Sequence, residues 1–329
     1  ITMSGYEGSE LLVARLLVES GADLRYVGTA CPQTVWSDPD REWLQAKGVH
    51  VQFRASLEQD LAAMKEAGFS QVMLKANDLV GHPQGWQAAV QAVHDSGLRG
   101  TGFQVLRDFE GLSGHLHHYK IDIAKSMLEM CHALDCRVLL ICSSTSVHAT
   151  GDTAALVRDL RKLAMLAIPM NIKIAYEALS WGRVVNEFPQ AWDIICQADM
   201  PNLGLSLDSE EVLLADAPQD DLLADLEMLD PERLFLVQLT DLLQNAAHNG
   251  QALRVLPGDG DHGAALAGLV TGLHGLGYWG SYNLAALNAD YAAMPASHVA
   301  ARARIAALWL DQDVLQRSVP LPNQIRLRR

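Results

Sequence analysis

The fold class this sequence predicts is α/β: a closed (β/α)8 barrel of parallel strands, each followed by a helix, with an extra N-terminal α/β segment. Three observations predict it. From about residue 49, short β-branched or apolar runs alternate with amphipathic helical patterns, and the runs come to eight. Several runs are apolar on both faces, as parallel strands covered by helices must be. Polar residues concentrate where the runs end, the end of a barrel strand that carries chemistry, and this sets the barrel ahead of a doubly wound open sheet.

The runs are "VHVQF" (49–53), "SQVMLK" (70–75), "GTGFQVL" (100–106), "RVLLIC" (137–142), "IKIAYE" (172–177), "LGLSLD" (203–208), "LFLVQL" (234–239) and "GSYNLAAL" (280–287). Between them lie helices. In "SLEQDLAAMKEAG", Leu57, Leu61 and Met64 recur at helical spacing and Gly68 marks the end. "GWQAAVQAVHDSG" (85–97) closes on glycine too, and "HVAARARIAALWL" (298–310) supplies the last helix. Residues 1–48 fall outside the rhythm. They read as helix, strand and turn, then a helix capped by Ser37 with Pro39 in its first turn. The expected organisation is an appended segment (1–48), a barrel (49–311) and an irregular tail (312–329).

Composition narrows the function classes. The 25 basic residues face 39 acidic ones, a net charge of −14, and "RLRR" at the tail is the one basic run. Nucleic acid is not an expected partner. No apolar stretch reaches the length of a bilayer span, and "ITMSGYEGSE" lacks the pattern of a signal peptide, so no membrane attachment is expected. The five cysteines (Cys31, Cys131, Cys136, Cys142, Cys196) form no CxxC pair, which fits reduced thiols in the cytoplasm, with Cys131, Cys142 and Cys196 as small buried side chains.

Read off in order, the strand ends supply Asn77 and Asp78, then Gln104, Arg107 and Asp108, then Ser143, Ser144 and His148. Glu177 with Arg183 follows, then Asp208 with Glu210 and Glu211, and then Gln238 with Asp241. Glu177, Asp208 and Gln238 should converge from three neighbouring strands. Oxygen donors without cysteine suit a hard divalent ion, Mg²⁺ or Mn²⁺, with Co²⁺ or Zn²⁺ as alternatives. Plainer readings compete: Glu177 paired with Arg183, Asp208 capping the helix that "DSEE" begins, Arg107 paired with Asp108 or Glu110. "HLHHYK" (His115, His117, His118) reads as a solvated helix start, and "PGDGD" as a glycine-rich turn feeding the last helix.

"TGFQVLRDFEG" (101–111), "YEALSWGRVVNEFPQAWDI" (176–194), "LGLSLDS" (203–209), "LFLVQLTD" (234–241) and "PGDGD" (257–261) together resemble the xylose-isomerase-like TIM barrel superfamily, and within it the bacterial 3-dehydroshikimate dehydratases. The resemblance implies a metal-dependent lyase that removes water from 3-dehydroshikimate to give protocatechuate. It implies metal ligands at Glu177, Asp208 and Gln238, with a further glutamate on strand eight. It implies substrate contacts at Arg107 and Arg254, joined by Gln104, and catalytic roles for Glu211 and Arg183. The departures are Ala285 for the strand-eight glutamate, Val184 and Glu211 for histidines, Ala76 for an acid and Ala252 for a histidine. They imply weakened or altered chemistry, with Glu211, Asn283 or Asp290 as substitute oxygen donors. Residues 3–64 resemble a piece of chlorophyllide reductase subunit Y, yet Cys31 alone cannot hold an iron–sulfur cluster.

The expected ligand is therefore a small carboxylated polyol or sugar-like substrate, with a homo-oligomer left open. Two other readings stand beside the lyase: a sugar isomerase or epimerase of the same superfamily, and an inactive barrel acting as a binding module.

Overall fold

The computed structural model describes residues 56–214, 224–243, 253–286, 290–291 and 294–316, and the backbone alone of 2–3, 25–28, 50–53, 244–248 and 251–252. Seven parallel strands form one sheet: β4 (Gln71–Lys75), β5 (Arg99–Leu106), β6 (Val138–Cys142), β7 (Lys173–Glu177), β8 (Leu203–Asp208), β9 (Leu234–Leu239) and β12 (Ser281–Leu284), paired in that order. Each lies where the apolar runs predicted it. The sheet is a nearly closed barrel.

The expected first barrel strand is the departure. Its residues form β3 (His50–Phe53), which pairs in parallel with β2 (Arg25–Gly28), and β2 pairs with β1 (Thr2–Met3). These make a separate three-stranded sheet, so β4 and β12 are the two ends of the barrel sheet. An apolar alternating pattern fixes a strand but not the sheet it joins, and β3 pairs with β2 rather than with β4. Helices still close the outer ring, because α1 (Leu57–Glu66), which follows β3, packs against α9 (Ala296–Leu308), which follows β12.

The helices form where their signals stand. Ser56 caps α1 in a capping box with Gln59. After α2 (Ala76–Val80), α3 (Trp86–Ser96) ends on Gly97 at φ 66°, a left-handed residue that glycine adopts without strain. α4 (Gly114–Ala133), α5 (Thr153–Ala167) and α6 (Phe188–Ala198) follow β5, β6 and β7, while α7 (Ser209–Leu214) springs directly from the end of β8. After α9 the chain continues as a π turn, Trp309–Val314, where the irregular tail was expected to begin. The rest of that tail, Cys31 and residues 4–24 and 29–49 lie outside the described residues.

One insertion was not expected. After β9 the chain folds back as an antiparallel hairpin, β10 (Asp241–His248) and β11 (Gln251–Val255), before α8 (Gly263–Leu276). The hairpin carries Arg254 over the barrel.

Side chains alternate along each strand. Ile174 and Tyr176, Leu203, Leu205 and Leu207, and Leu139 and Ile141 belong to the large core between sheet and helices. Leu140, Ala175, Phe235 and Leu236 form a smaller cluster with Met73 and Val138. The alternation places Glu177 on the same face as Ala175, and Cys142 on the same face as Leu140. Gly204 is needed below them, since a Cβ there would meet the Phe235 ring at 2.7 Å. Cys131, Cys136 and Cys142 are free and buried, as small apolar side chains should be; Cys196, expected among them, is exposed because it lies on the outer side of α6.

Candidate active site

Strand register decides which polar side chains meet. Glu177 pairs with Cys142 across β6 and β7, and Gln238 pairs with Asp208 on one side and Asn283 on the other. The result is a row of polar side chains at the C-terminal ends of β6, β7, β8, β9 and β12. Glu177 is 4% exposed, Asp208 5% and Gln238 6%, so all three are held out of water.

Glu177 is received by neutral donors. Ser206 Oγ donates to its Oε2 at 2.9 Å, and Gln238 Nε2 donates to the same oxygen. Cys142 Sγ stands 3.7 Å from Oε1. Asn283 Nδ2 in turn donates to Gln238 Oε1 at 3.3 Å, which fixes the amide orientation. Arg183 does not pair with Glu177: its Nε donates to the Ala149 carbonyl at 3.0 Å, away from the carboxylate. Burial pushes Glu177 up to about 8, with the charge of Asp208 adding to the effect.

Asp208 has two roles, one per oxygen. Oδ1 accepts from the Glu210 backbone N–H at 3.0 Å and so starts α7, the capping role. Oδ2 accepts from Arg254 NH2 at 2.7 Å, while Arg254 NH1 reaches Glu210 Oε2 at 2.7 Å. Arg254 Nε donates to the Ala285 carbonyl at 3.3 Å. Where the family resemblance placed a strand-eight glutamate, this chain thus offers a backbone oxygen, and the arginine uses it. Burial opposes the charge of Arg254, but Asp208 and Glu210 outweigh it and raise its pKa.

Glu211 completes the cluster. Its stem reaches the surface, but both carboxylate oxygens are inaccessible to solvent and have no hydrogen-bond partner. Burial, followed by the charges of Glu177, Asp208 and Glu210, holds its carboxyl well above the usual range. Glu210 is raised by burial as well, with Arg254 pulling the other way.

The remaining predicted residues divide. Arg107 is exposed beyond β5, and its charge is felt at Cys142, which places it at the same end of the barrel. Gln104 is half-buried on β5. Asp108 is engaged by Ser144, Thr145 and Lys120, so it braces loops. Ser143 accepts from the Leu179 N–H at 3.0 Å. Asn77, Asp78, His148 and Asp290 are exposed. Asp241 is buried and serves the turn: Leu242, Gly258, Gly260 and His262 all donate backbone N–H groups to it. "PGDGD" is therefore a turn leading to α8, tied down by Asp241. His115 and His118 are exposed on α4, and His117 lies 3.9 Å from buried Asp159.

Sequence reasoning named Glu110 only as a partner for Arg107 and did not mark it as a buried carboxylate. Its Oε1 accepts from the Ser144 N–H at 2.6 Å and from Tyr176 Oη at 3.1 Å. Its Oε2 is inaccessible and unpartnered. Burial pushes it up to about 7.

The donor chemistry around Glu177 suits a hard dication. The Glu177, Asp208 and Glu211 carboxylates are such donors, and the Glu211 oxygens have no hydrogen-bond partner. Gln238 turns Nε2 to Glu177 and Oε1 to Asn283, and would have to flip its amide to offer oxygen. Among the described residues, no group of three His, Cys, Asp or Glu side chains is gathered closely enough to hold an ion. Asp208 and Glu210 are gathered by the Arg254 guanidinium instead. A separate groove of about 690 Å³ lies outside the barrel between α1 and α3, lined by Glu58, Lys65, His82 and Asp95 among others, and shares no residue with the cluster.

Residues 61–310 match the family described as xylose isomerase-like TIM barrel. A 3-dehydroshikimate dehydratase of Pseudomonas aeruginosa is 33% identical over 276 residues, which are 82% of this chain and 43% of that protein. The chain therefore spans less than half the length of that relative. A solved structure of the IolI protein with a bound zinc atom superposes with a TM-score of 0.68 at 19% identity, covering 79% of this chain and 95% of that one. A different relative is the chlorophyllide reductase 52.5 kDa chain of Cereibacter sphaeroides, 60% identical over 85 residues, which are 24% of this chain and 17% of that protein. Among the described residues no helix is long and apolar enough to cross a membrane.

Proposed function

This chain belongs to the xylose isomerase-like TIM barrel family, and from that premise we propose that it is a divalent-metal-dependent lyase acting on 3-dehydroshikimate or a close carboxylated polyol. One observation carries the reading. Four carboxyl groups, Glu177, Asp208, Glu210 and Glu211, crowd one end of the barrel against the single guanidinium of Arg254, and Glu211 is unreceived. Burial raises the carboxyls of Glu177 and Glu211 towards their neutral forms, and a cation is what would let so many buried carboxyls ionise together. The zinc in the IolI structure and the dehydratase identity point the same way.

Glu177, Asp208 and Gln238 would hold the ion, Mg²⁺ or Mn²⁺ by donor type. Bound there, it would supply polarisation of the substrate ketone. Arg107 at the rim would receive the substrate carboxylate, a task suited to a guanidinium fork, with Gln104 on the strand β5 that leads to it. Arg183, held to the Ala149 carbonyl through Nε, keeps its terminal nitrogens for substrate oxygens. Glu211 is the proton carrier. A nearby positive charge favours its ionised form, which takes the proton from the carbon next to the ketone. The same carboxyl then returns that proton to the departing hydroxyl, so one water leaves and the protein ends as it began.

The test uses metal-stripped protein, Mn²⁺ and 3-dehydroshikimate. Added Mn²⁺ should raise the melting temperature and permit formation of the protocatechuate chromophore, and Glu177→Gln should abolish both. A variant that keeps both refutes the assignment. The binding-module reading is favoured by one observation, the Arg254 bridge across Asp208 and Glu210, and predicts no Mn²⁺ response in the wild type.

A further inference from the structure

The arginine at the centre of the cluster is better placed than its neighbours require. Asp208 Oδ2 and Glu210 Oε2 each lie 2.7 Å from a different terminal nitrogen of Arg254, and its third nitrogen is occupied by the Ala285 carbonyl. All three nitrogens are engaged inside the protein. The guanidinium is largely buried, with a side-chain exposure of 16%. It nevertheless satisfies only half of the cluster. Glu177 receives hydrogen bonds from the neutral groups Ser206 and Gln238, and both oxygens of Glu211 receive none. A planar guanidinium donates in fixed directions; a spherical dication does not, and carries twice the charge.

We propose that Arg254 is the protein's own occupant of this carboxylate cluster, and that a divalent cation enters by displacing its guanidinium from Asp208 and Glu210. The inference rests on the reading that the cluster takes a dication. It concerns what stands in the way. Ala285 contributes to the exchange: with no acidic side chain there, its carbonyl anchors Arg254 Nε and holds the fork in position. The hairpin β10–β11 is the element that would move, since Arg254 lies on it beside Val255. Cation affinity in the wild type is then the intrinsic affinity of the carboxylates reduced by the stability of the arginine grip. Two charge-assisted hydrogen bonds are a substantial competitor.

The experiment measures Mn²⁺ binding by calorimetry and by melting temperature, on metal-stripped wild type, Arg254→Gln and Arg254→Lys, with no substrate present. Arg254→Gln should bind Mn²⁺ about tenfold or more tightly than wild type, and its melting temperature should rise further on adding Mn²⁺. Arg254→Lys keeps the charge but loses the fork, and should fall between the two. If Arg254→Gln fails to fold, the lysine variant decides alone, by binding more tightly than wild type or not. Equal or weaker binding in the variants overturns the proposal and leaves the metal reading intact. Absence of Mn²⁺ binding at millimolar concentration in every protein overturns both.

Discussion

The sharpest quantitative consequence of the fold concerns Glu110, which lies outside the barrel cluster. Its carboxyl is 1% exposed and is pushed by burial from an ordinary 4.5 up to about 7. Two donors, Ser144 N–H and Tyr176 Oη, oppose the shift without cancelling it. The sign follows from proton counting. Between the two values the folded protein keeps a proton that the unfolded chain has released, so stability falls as pH rises. The contribution is fully present below pH 4.5, is lost across the interval, and is exhausted above about 7. Each tenfold change in proton affinity is worth about 1.4 kcal/mol, which makes the loss about 3 kcal/mol.

Glu177 and Glu211 shift stability in the same direction, so the wild type alone cannot isolate Glu110. The comparison with Glu110→Gln can. Glutamine keeps an acceptor for Ser144 and Tyr176, and its amide N–H₂ takes the place of the unpartnered oxygen, a pH-independent penalty of about 1 kcal/mol. Urea denaturation at pH 4, below the interval in which the contribution is lost, should therefore find the variant about 1 kcal/mol less stable than wild type. At pH 8 the order should reverse, with the variant about 2 kcal/mol more stable. A wild-type-to-variant difference that is the same at both pH values refutes the reasoning, because a carboxyl ionised throughout would give that result.

Two further predictions bear on how loops are held near the site. Tyr176→Phe removes one of the two donors to Glu110, and should cost about 1 kcal/mol at pH 8, where the hydrogen bond is charge-assisted, and less at pH 5, by the same urea assay. Asp241→Ala leaves the buried backbone N–H groups of Leu242, Gly258, Gly260 and His262 without their acceptor, and should cost about 3 kcal/mol, read as a lowered urea midpoint and a lowered melting temperature.

What the sequence made legible follows physical range. Seven barrel strands were visible because each is a short apolar run, doubly covered, whose pattern depends only on its own residues. Glu177 and Asp208 stood out because an acid ending such a run is costly without a partner. Gln238 had no such mark and became visible only through its companions. The partners themselves were not legible. Arg254 meets Asp208 and Glu210 from more than forty positions away, through the β10–β11 hairpin, which falls outside the eight apolar runs. Glu110 was hidden for the opposite reason. "RDFEG" has the composition of a solvated turn, and only the packing of Tyr176 and the Ser144 backbone over it makes it a core carboxylate. The strand at 49–53 was a correct strand with the wrong neighbours, since a β pattern does not encode which sheet it joins.

The two oxygens of Asp208 connect these findings. Oδ1 is committed to the Glu210 N–H at the start of α7, and that commitment is local, within two residues of chain. It orients the carboxylate so that Oδ2 faces Arg254, and the same cap would hold Oδ2 towards a dication in that place. Cap and cation therefore do not compete for one atom. If guanidinium gave way to metal as proposed, the start of α7 would keep its cap, and Glu210 and Glu211 are carried on the first turn of that helix. The hairpin bearing Arg254 can move while the acidic face of the site stays still, and a barrel without the strand-eight acid can in this way retain a preorganised set of oxygen donors.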